Sequence, residues 1–264
     1  MIGLGSYCFY WQNSELNPNP PSLIEQFEIT IKLGLNLFQI CDYRPLLAMS
    51  QLELEQAALK AQHLNLAIEL GTRGLEKDNL LRHIEIARVF DAKLIRSMVY
   101  SDTSRPSHEE AIKLLSDVAS NFEVAGIRLA LETYEEIATR ELVGIVLAVG
   151  SPNVGICLDP GNVVARLEDP KECVEVTANH VFGVHIKDFS FERQPGWVGF
   201  TFSGSDLGTG LLDYEHLART TNIKEGNINQ VIEHWTPWQG SIQPTIDLEK
   251  TWTKNSIQYL RRRT

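Results

Sequence analysis

Short apolar segments alternate with longer stretches of helical period from one end of this chain to the other. That alternation demands parallel strands joined by crossover helices. IGLGSY comes first, followed by Pro18, Pro20 and Pro21 and a helix opened by Ser22, with Glu25 three residues on as its capping-box partner. Leu23, Phe27, Ile31 and Leu33 mark the apolar face of that helix. NLFQI leads to a helix near Gln51 to Gln62, NLAIEL to one near Asp78 to Phe90, and KLIRSMV to one near Ser107 to Ala125. IRLALE, VGICLD and VFGVHIKD continue the pattern, with helices near Arg140 to Val149, Asp169 to Ala178 and Asp213 to Thr220. The eighth unit is NQVIEH with a helix near Thr245 to Leu260. Eight consecutive βα units with no GxGxxG after the first strand favour closure over an open doubly wound sheet. The 264 residues are close to the roughly 250 of a typical (β/α)8 barrel. No linker-like stretch divides them, so a single TIM-barrel domain over 1–264 is expected.

Four of the apolar segments end in a potential ligand: Glu132, Asp159, His185 and Glu233. Residues two apart share a strand face, so in VFGVHIKD the bulky Phe182, Val184 and Ile186 should turn outward under the helices and leave Gly183, His185 and Lys187 inside. The same alternation points Glu132, Asp159, Glu233, Glu69, Gln39 and Arg96 inward near the C-terminal mouth, where barrels carry their chemistry. Each of the first four has an ordinary explanation taken singly: Glu132 could cap a helix, Asp159 could serve the turn before Pro160 and Gly161, and His185 could be a satisfied core histidine. Matching strand ends favour a shared site. Three buried carboxylates repel one another unless they are protonated or share a cation. One divalent cation resolves the conflict, and the oxygen-rich donor set suits manganese, magnesium or cobalt, with zinc also admissible.

A net charge of -10 and a pI near 5.2 work against general nucleic-acid binding. The only basic run, Arg261 to Arg263, reads as a solvated helix end. Cys8, Cys41, Cys157 and Cys173 form no CxxC pair, and no apolar run approaches the roughly 20 residues of a membrane span. A cytoplasmic, reduced protein without a membrane or nucleic-acid partner is expected, and assembly into a homo-oligomer is compatible with the sequence. The long aromatic and glycine-rich segment from Asp188 to Leu212 reads either as a lid carrying Trp197, Phe200 or Phe202, or as a self-packed Ω-loop. Trp11 and Trp235 follow the first and last strands and are candidate aromatic walls; Trp238 has no such placement.

The pieces ALETYE, GICLDPGN, GVHIKDF, GTGLLDY and VIEHW, in this order, resemble the xylose isomerase-like barrel family. That resemblance implies that Glu132, Asp159, His185 and Glu233 hold one divalent metal and that Glu132 and Glu233 act as opposed acid and base. The activity it implies first is an isomerase or epimerase moving a proton beside the carbonyl of a small sugar, sugar acid or polyol. Two departures count against epimerisation: Asn162 stands where ketose epimerases usually carry histidine, and Phe191 where they carry arginine, a role Arg193 would have to fill. The DNA-repair branch needs extra histidines at strand ends, which His63, His83, His108, His180 and His216 do not supply. GVHIKDF, GFTFSGSDLGTG and EHWTPW, with LEKTW and SIQYLR, look most like a branch that includes 3-oxoisoapionate decarboxylases. On that reading Arg96 and Lys187 would meet a substrate carboxylate. Both could equally be spent on ion pairs, Lys187 with Asp188 and Arg96 with Glu69. Gln39, Glu69, Asn162, Arg193 and Trp235 complete the candidate substrate contacts. A catalytically silent sugar-binding barrel is the reading from outside enzymology.

Overall fold

The computed structural model describes residues 1–263 apart from Pro195 and Trp197, with Arg44 described by its backbone alone. Among the described residues ten strands form: β1 Ile2–Gly5, β2 Leu37–Ile40, β3 Ala67–Arg73, β4 Leu94–Met98, β5 Arg128–Glu132, β6 Val154–Leu158, β7 Val181–Ile186, β8 Asp188–Arg193, β9 Phe200–Ser205 and β10 Asn229–Ile232. Eight of them close in the order β1-β10-β7-β6-β5-β4-β3-β2, every pair parallel. The helices α1 Leu23–Lys32, α2 Gln51–His63, α3 Lys77–Phe90, α4 His108–Ala125, α5 Thr139–Val149, α6 Pro170–Thr177, α7 Tyr214–Thr220 and α8 Ile242–Arg261 come between or after the barrel strands. The chain is therefore a (β/α)8 TIM barrel.

Local chemistry accounts for the helix starts. Ser22 with Glu25, Ser50 with Glu53 and Ser107 with Glu110 each form a reciprocal capping box at the head of α1, α2 and α4. Such caps contribute roughly 1 kcal/mol each. The apolar shell between sheet and helices contributes more, with Phe38, Ile40, Leu70, Ile95, Leu131 and Ile156 packed with Phe27, Leu54, Leu80, Leu115 and Phe122. Each such side chain stabilises the fold by roughly 1.5–3 kcal/mol when fully buried. The inner face of α1 differs from its apolar stripe, because Gln26 and Thr30 are fully buried there. Gln26 Nε2 donates to Asn13 Oδ1 and Pro21 O, each at 3.1 Å, and so ties α1 to the β1 loop.

Strand alternation fails at one place. A register shift between Ile156 and Cys157 puts an extra residue of β7 opposite β6, and Phe182 turns inward instead of outward. Its ring packs on the interior cluster Leu94, Ala130 and Cys157. It fills the space beside Gly155, where a Cβ would come within 2.6 Å of the ring. A bulge re-aims side chains in this way. Beyond it Gly183 pairs with Cys157 and His185 regains the interior.

Two stretches of the segment from Asp188 to Leu212 are strands. These two, β8 and β9, pair antiparallel from Asp188 opposite Ser205 to Arg193 opposite Phe200. Asp188 sits buried at the root of this hairpin and accepts from the backbone N–H of Phe189, Gly208, Gly210 and Leu212 at 2.8–2.9 Å. A Cβ at Gly210 would overlap Ser205 Oγ and Asp188 Oδ1, so the close approach requires glycine. Phe202 packs edge-on against Trp235, ring centroids 5.5 Å apart, while Phe191 and Phe200 are exposed. Trp197 lies outside the described residues.

Candidate active site

Glu132 is the last residue of β5, Asp159 follows β6, His185 lies in β7 and Glu233 follows β10, so four strand ends deliver four donors to one point. Backbone contacts fix the ends: Glu233 N–H donates to Ile186 O at 3.1 Å, and Asp159 N–H donates to Thr133 Oγ1 at 2.8 Å. His185 Nδ1 stands 3.5 Å from Glu132 Oε1, 3.8 Å from Asp159 Oδ2 and 3.4 Å from Glu233 Oε1. All four residues are at most 2% exposed.

Glu132, Asp159 and His185 each offer a ligand atom within 4.8 Å of the others. Glu132 Oε2, Asp159 Oδ2, His185 Nδ1 and Glu233 Oε1 are all buried without a hydrogen bond, engaged only in ion-pair contacts. One atom without a hydrogen bond from each of four residues, three of them carboxylate oxygens, is a donor set that fits a divalent cation.

Two basic side chains enter the cluster. Lys187 Nζ is 2.7 Å from Asp159 Oδ2 and 3.5 Å from Glu233 Oε2, and lies 4.2 Å from the centre of the Trp235 ring. Burial opposes its charge, but Asp159, Glu233 and Glu132 outweigh burial and keep the lysine pKa above its ordinary value. Asp159 is pushed upward by burial despite Lys187, because Glu132 and Glu233 crowd it with like charge. Arg96 directs Nε at Glu132 Oε2, donates Nη1 to Thr72 O at 3.0 Å and brings Nη2 within 3.8 Å of Asp42. Burial would raise the Glu132 pKa, yet Arg96, His185 and Lys187 hold it well below the usual range. Asn162 adds a 2.9 Å hydrogen bond from Nδ2 to Glu132 Oε1.

These partners replace both expected ion pairs: Lys187 does not pair with Asp188, nor Arg96 with Glu69. Arg96, 2% exposed with its guanidinium held by the protein, orients Glu132 instead of reaching into the mouth. Glu69 is also displaced from its expected place. It lies below the layer of Glu132, Asp159, His185 and Glu233, hydrogen-bonded to Gln39 and to Asn229 at the N-terminal end of β10. Arg193 cannot serve the site from where it stands, exposed at the far end of β8 with its guanidinium over Phe200. Five residues of strand separate it from Asp188, roughly 16 Å. Gln39, Asn162, Lys187 and Trp235 do converge on the cluster.

Beside it the loops after β1 and β2 and the end of β3 carry residues absent from the four-residue cluster. Asp42, at φ 50°, accepts from Arg73 Nε at 3.0 Å, Arg73 Nη2 at 2.9 Å and Tyr7 Oη at 3.0 Å. With Tyr10, Trp11 and Tyr43, Asp42 and Tyr7 line a cavity of about 900 Å³. Arg73 alone left a signal, since it continues the inward alternation of Glu69 and Gly71; Asp42 sits in irregular backbone that alternation cannot read. Trp11 packs on Trp238 at 5.1 Å, so Trp238 supports the wall that the sequence assigned to Trp11.

A family model described as the xylose isomerase-like TIM barrel matches residues 26–263. The chain is 50% identical over 259 residues to a 3-oxo-isoapionate decarboxylase of Pectobacterium atrosepticum, covering 98% of this chain and 94% of that protein. Its fold matches a D-psicose 3-epimerase from Clostridium cellulolyticum with D-tagatose at a TM-score of 0.74, with 14% identity over 99% of this chain and 98% of the other. A xylose isomerase-like TIM barrel protein from Mycobacterium smegmatis in complex with magnesium matches at 0.70, with 18% identity over 96% and 95%. At such identities the two structures speak for the fold alone. Among the described residues no helix is long and apolar enough to cross a membrane.

Proposed function

The chain belongs to the xylose isomerase-like TIM barrel family, and from that premise we propose that it is a divalent-metal-dependent decarboxylase of 3-oxo-isoapionate or a closely similar β-keto sugar acid. The observation that carries this reading is the 50% identity, over nearly the full length of both chains, to a decarboxylase of that substrate. The surroundings of Glu132 support it over the isomerase or epimerase reading. Proton abstraction from carbon on alternate faces needs two carboxylates free to accept, with pKa values near the working pH. Arg96 pairs with one oxygen of Glu132 and Asn162 donates to the other, contacts that favour the ionised carboxylate and weaken it as a base. Loss of carbon dioxide asks for no such abstraction.

Glu132, Asp159, His185 and Glu233 would hold one manganese, magnesium, cobalt or zinc ion, which when bound would polarise the keto oxygen and stabilise the enolate. In the reaction the bond between the carboxylate carbon and the α-carbon breaks, and its electron pair forms the enolate as carbon dioxide leaves. A proton then returns to the α-carbon. Lys187 is the group assigned to that step, a buried ammonium kept charged by Asp159 and Glu233 and therefore a donor and not a base. Trp235 and Phe202 would cover this side of the site and keep water from the departing carboxylate. Tyr7, Asp42 and Arg73 offer hydrogen bonds suited to the hydroxyls of a sugar acid.

The test is incubation of metal-loaded protein with carboxyl-13C 3-oxo-isoapionate in D2O, followed by NMR. Labelled bicarbonate and one deuteron at the α-carbon are expected. An epimerised or isomerised sugar without carbon dioxide would restore the isomerase reading, and neither product nor exchange would leave a binding-only barrel.

A further inference from the structure

We propose that Gln39 and Glu69 are positioning residues which set the tautomer of His185 from beneath the site, so that Nδ1 is the nitrogen offered to the metal. The inference rests on the metal-dependent reading above. Glu69 Oε1 accepts from Asn229 Nδ2 at 2.6 Å, and Glu69 Oε2 accepts from Gln39 Nε2 at 3.1 Å. Both oxygens of Glu69 thus accept an amide N–H, and this places the NH2 of Gln39 toward Glu69 and its oxygen the other way. The flipped amide would set its oxygen against Glu69 Oε2 and its donor against His185.

With the amide so fixed, Gln39 Oε1 faces His185 Nε2 at 2.9 Å. An amide oxygen cannot donate. Nε2 must therefore carry hydrogen, and the metal-ligating lone pair belongs to Nδ1, the ring atom that faces Glu132, Asp159 and Glu233 without a hydrogen bond of its own. The chain Asn229, Glu69, Gln39, His185 crosses β10, β3, β2 and β7, and Gln39 and Glu69 are 1% and 4% exposed, so water does not compete for the amide. It orients and does not conduct, because amides pass a proton only by becoming imidic acids. A ligating histidine is ordinarily fixed by a partner on its other nitrogen. Here that partner is a neutral amide whose own direction is dictated by a carboxylate one layer deeper.

The experiment uses the full chain loaded with zinc. In wild type, 15N NMR should find His185 ligating through Nδ1 with hydrogen on Nε2. Gln39→Leu and Glu69→Leu should each weaken zinc binding about 10–100-fold, the usual cost of losing such a partner. Glu69→Gln, whose amide oxygen can still accept from Gln39, should recover most of that loss. Ligation through Nε2, or folded Glu69→Leu protein binding zinc like wild type, would overturn the proposal. Should the leucine variants fail to fold, the wild-type NMR result alone decides it. Wild-type protein that binds zinc through the wrong nitrogen refutes only the tautomer, whereas wild-type protein that binds no divalent metal refutes the metal-dependent reading as well.

Discussion

Glu249 in α8 is fully buried and holds the β1 loop in place, accepting from Trp11 N–H at 2.9 Å, Gln12 N–H at 3.3 Å and Gln12 Nε2 at 3.0 Å. Burial raises its pKa from 4.5 to about 7, against the lowering pull of those three hydrogen bonds. Below pH 4.5 the group is protonated in folded and unfolded chains alike and its contribution to stability is fully present. As pH rises to 7 the unfolded chain ionises first, and stability falls by about 1.4 kcal/mol per pH unit, roughly 3 kcal/mol in all by pH 8. Glu249→Gln removes the titration while keeping one oxygen for the Trp11 N–H. Losing the two hydrogen bonds from Gln12, about 1 kcal/mol each, should leave the variant about 1 kcal/mol less stable than wild type at pH 5 and about 1 kcal/mol more stable at pH 8. For a chain of this size that crossover corresponds to about 4–8 °C in Tm difference between the two pH values. Melts of metal-free protein followed by tryptophan fluorescence would read it, Trp11 being in the tethered loop. A difference between variant and wild type that is the same at pH 5 and pH 8 would refute the argument.

Asp159→Asn should retain its fold and lose more than about 100-fold in divalent-metal affinity, checked by metal content after dialysis against each ion; stoichiometric metal in the variant would remove Asp159 from the ligand set. Lys187→Met should lower carbon dioxide release about 100-fold or more while metal binding persists, because it deletes the proposed proton donor but none of the proposed ligands; unchanged turnover would assign the proton to another group. Asp188→Ala strands backbone N–H groups of Phe189, Gly208, Gly210 and Leu212, and should cost about 4 kcal/mol, or roughly 8–16 °C in Tm by calorimetry. A shift of under about 2 °C would mean that the hairpin root is held by other contacts.

Two kinds of information were written locally. Apolar periodicity and serine–glutamate caps specify helices and strands within a few residues of chain, which is why eight units and the capping box at Ser22 and Glu25 could be read directly. The β8–β9 hairpin was not, although FSFE and FTFS alternate with the period of a strand, because glycine and aromatic content in a long connection reads equally as a lid. Phe182 was misassigned because alternation presumes an uninterrupted ladder, and the bulge opposite Ile156 and Cys157 involves two strands at once.

The placement of candidate ligands at strand ends follows from a period of two and a closed barrel, so the convergence of Glu132, Asp159, His185 and Glu233 was legible from the chain alone. Their lateral partners were not. Whether Arg96 meets Glu69 or Glu132, whether Lys187 meets Asp188 or Asp159, and whether Gln39 reaches both Glu69 and His185 depend on how strands far apart in sequence are staggered around the barrel. Alternation along one strand says which way a side chain points but not the height at which a neighbour's side chain arrives, and that height is fixed only when the sheet closes.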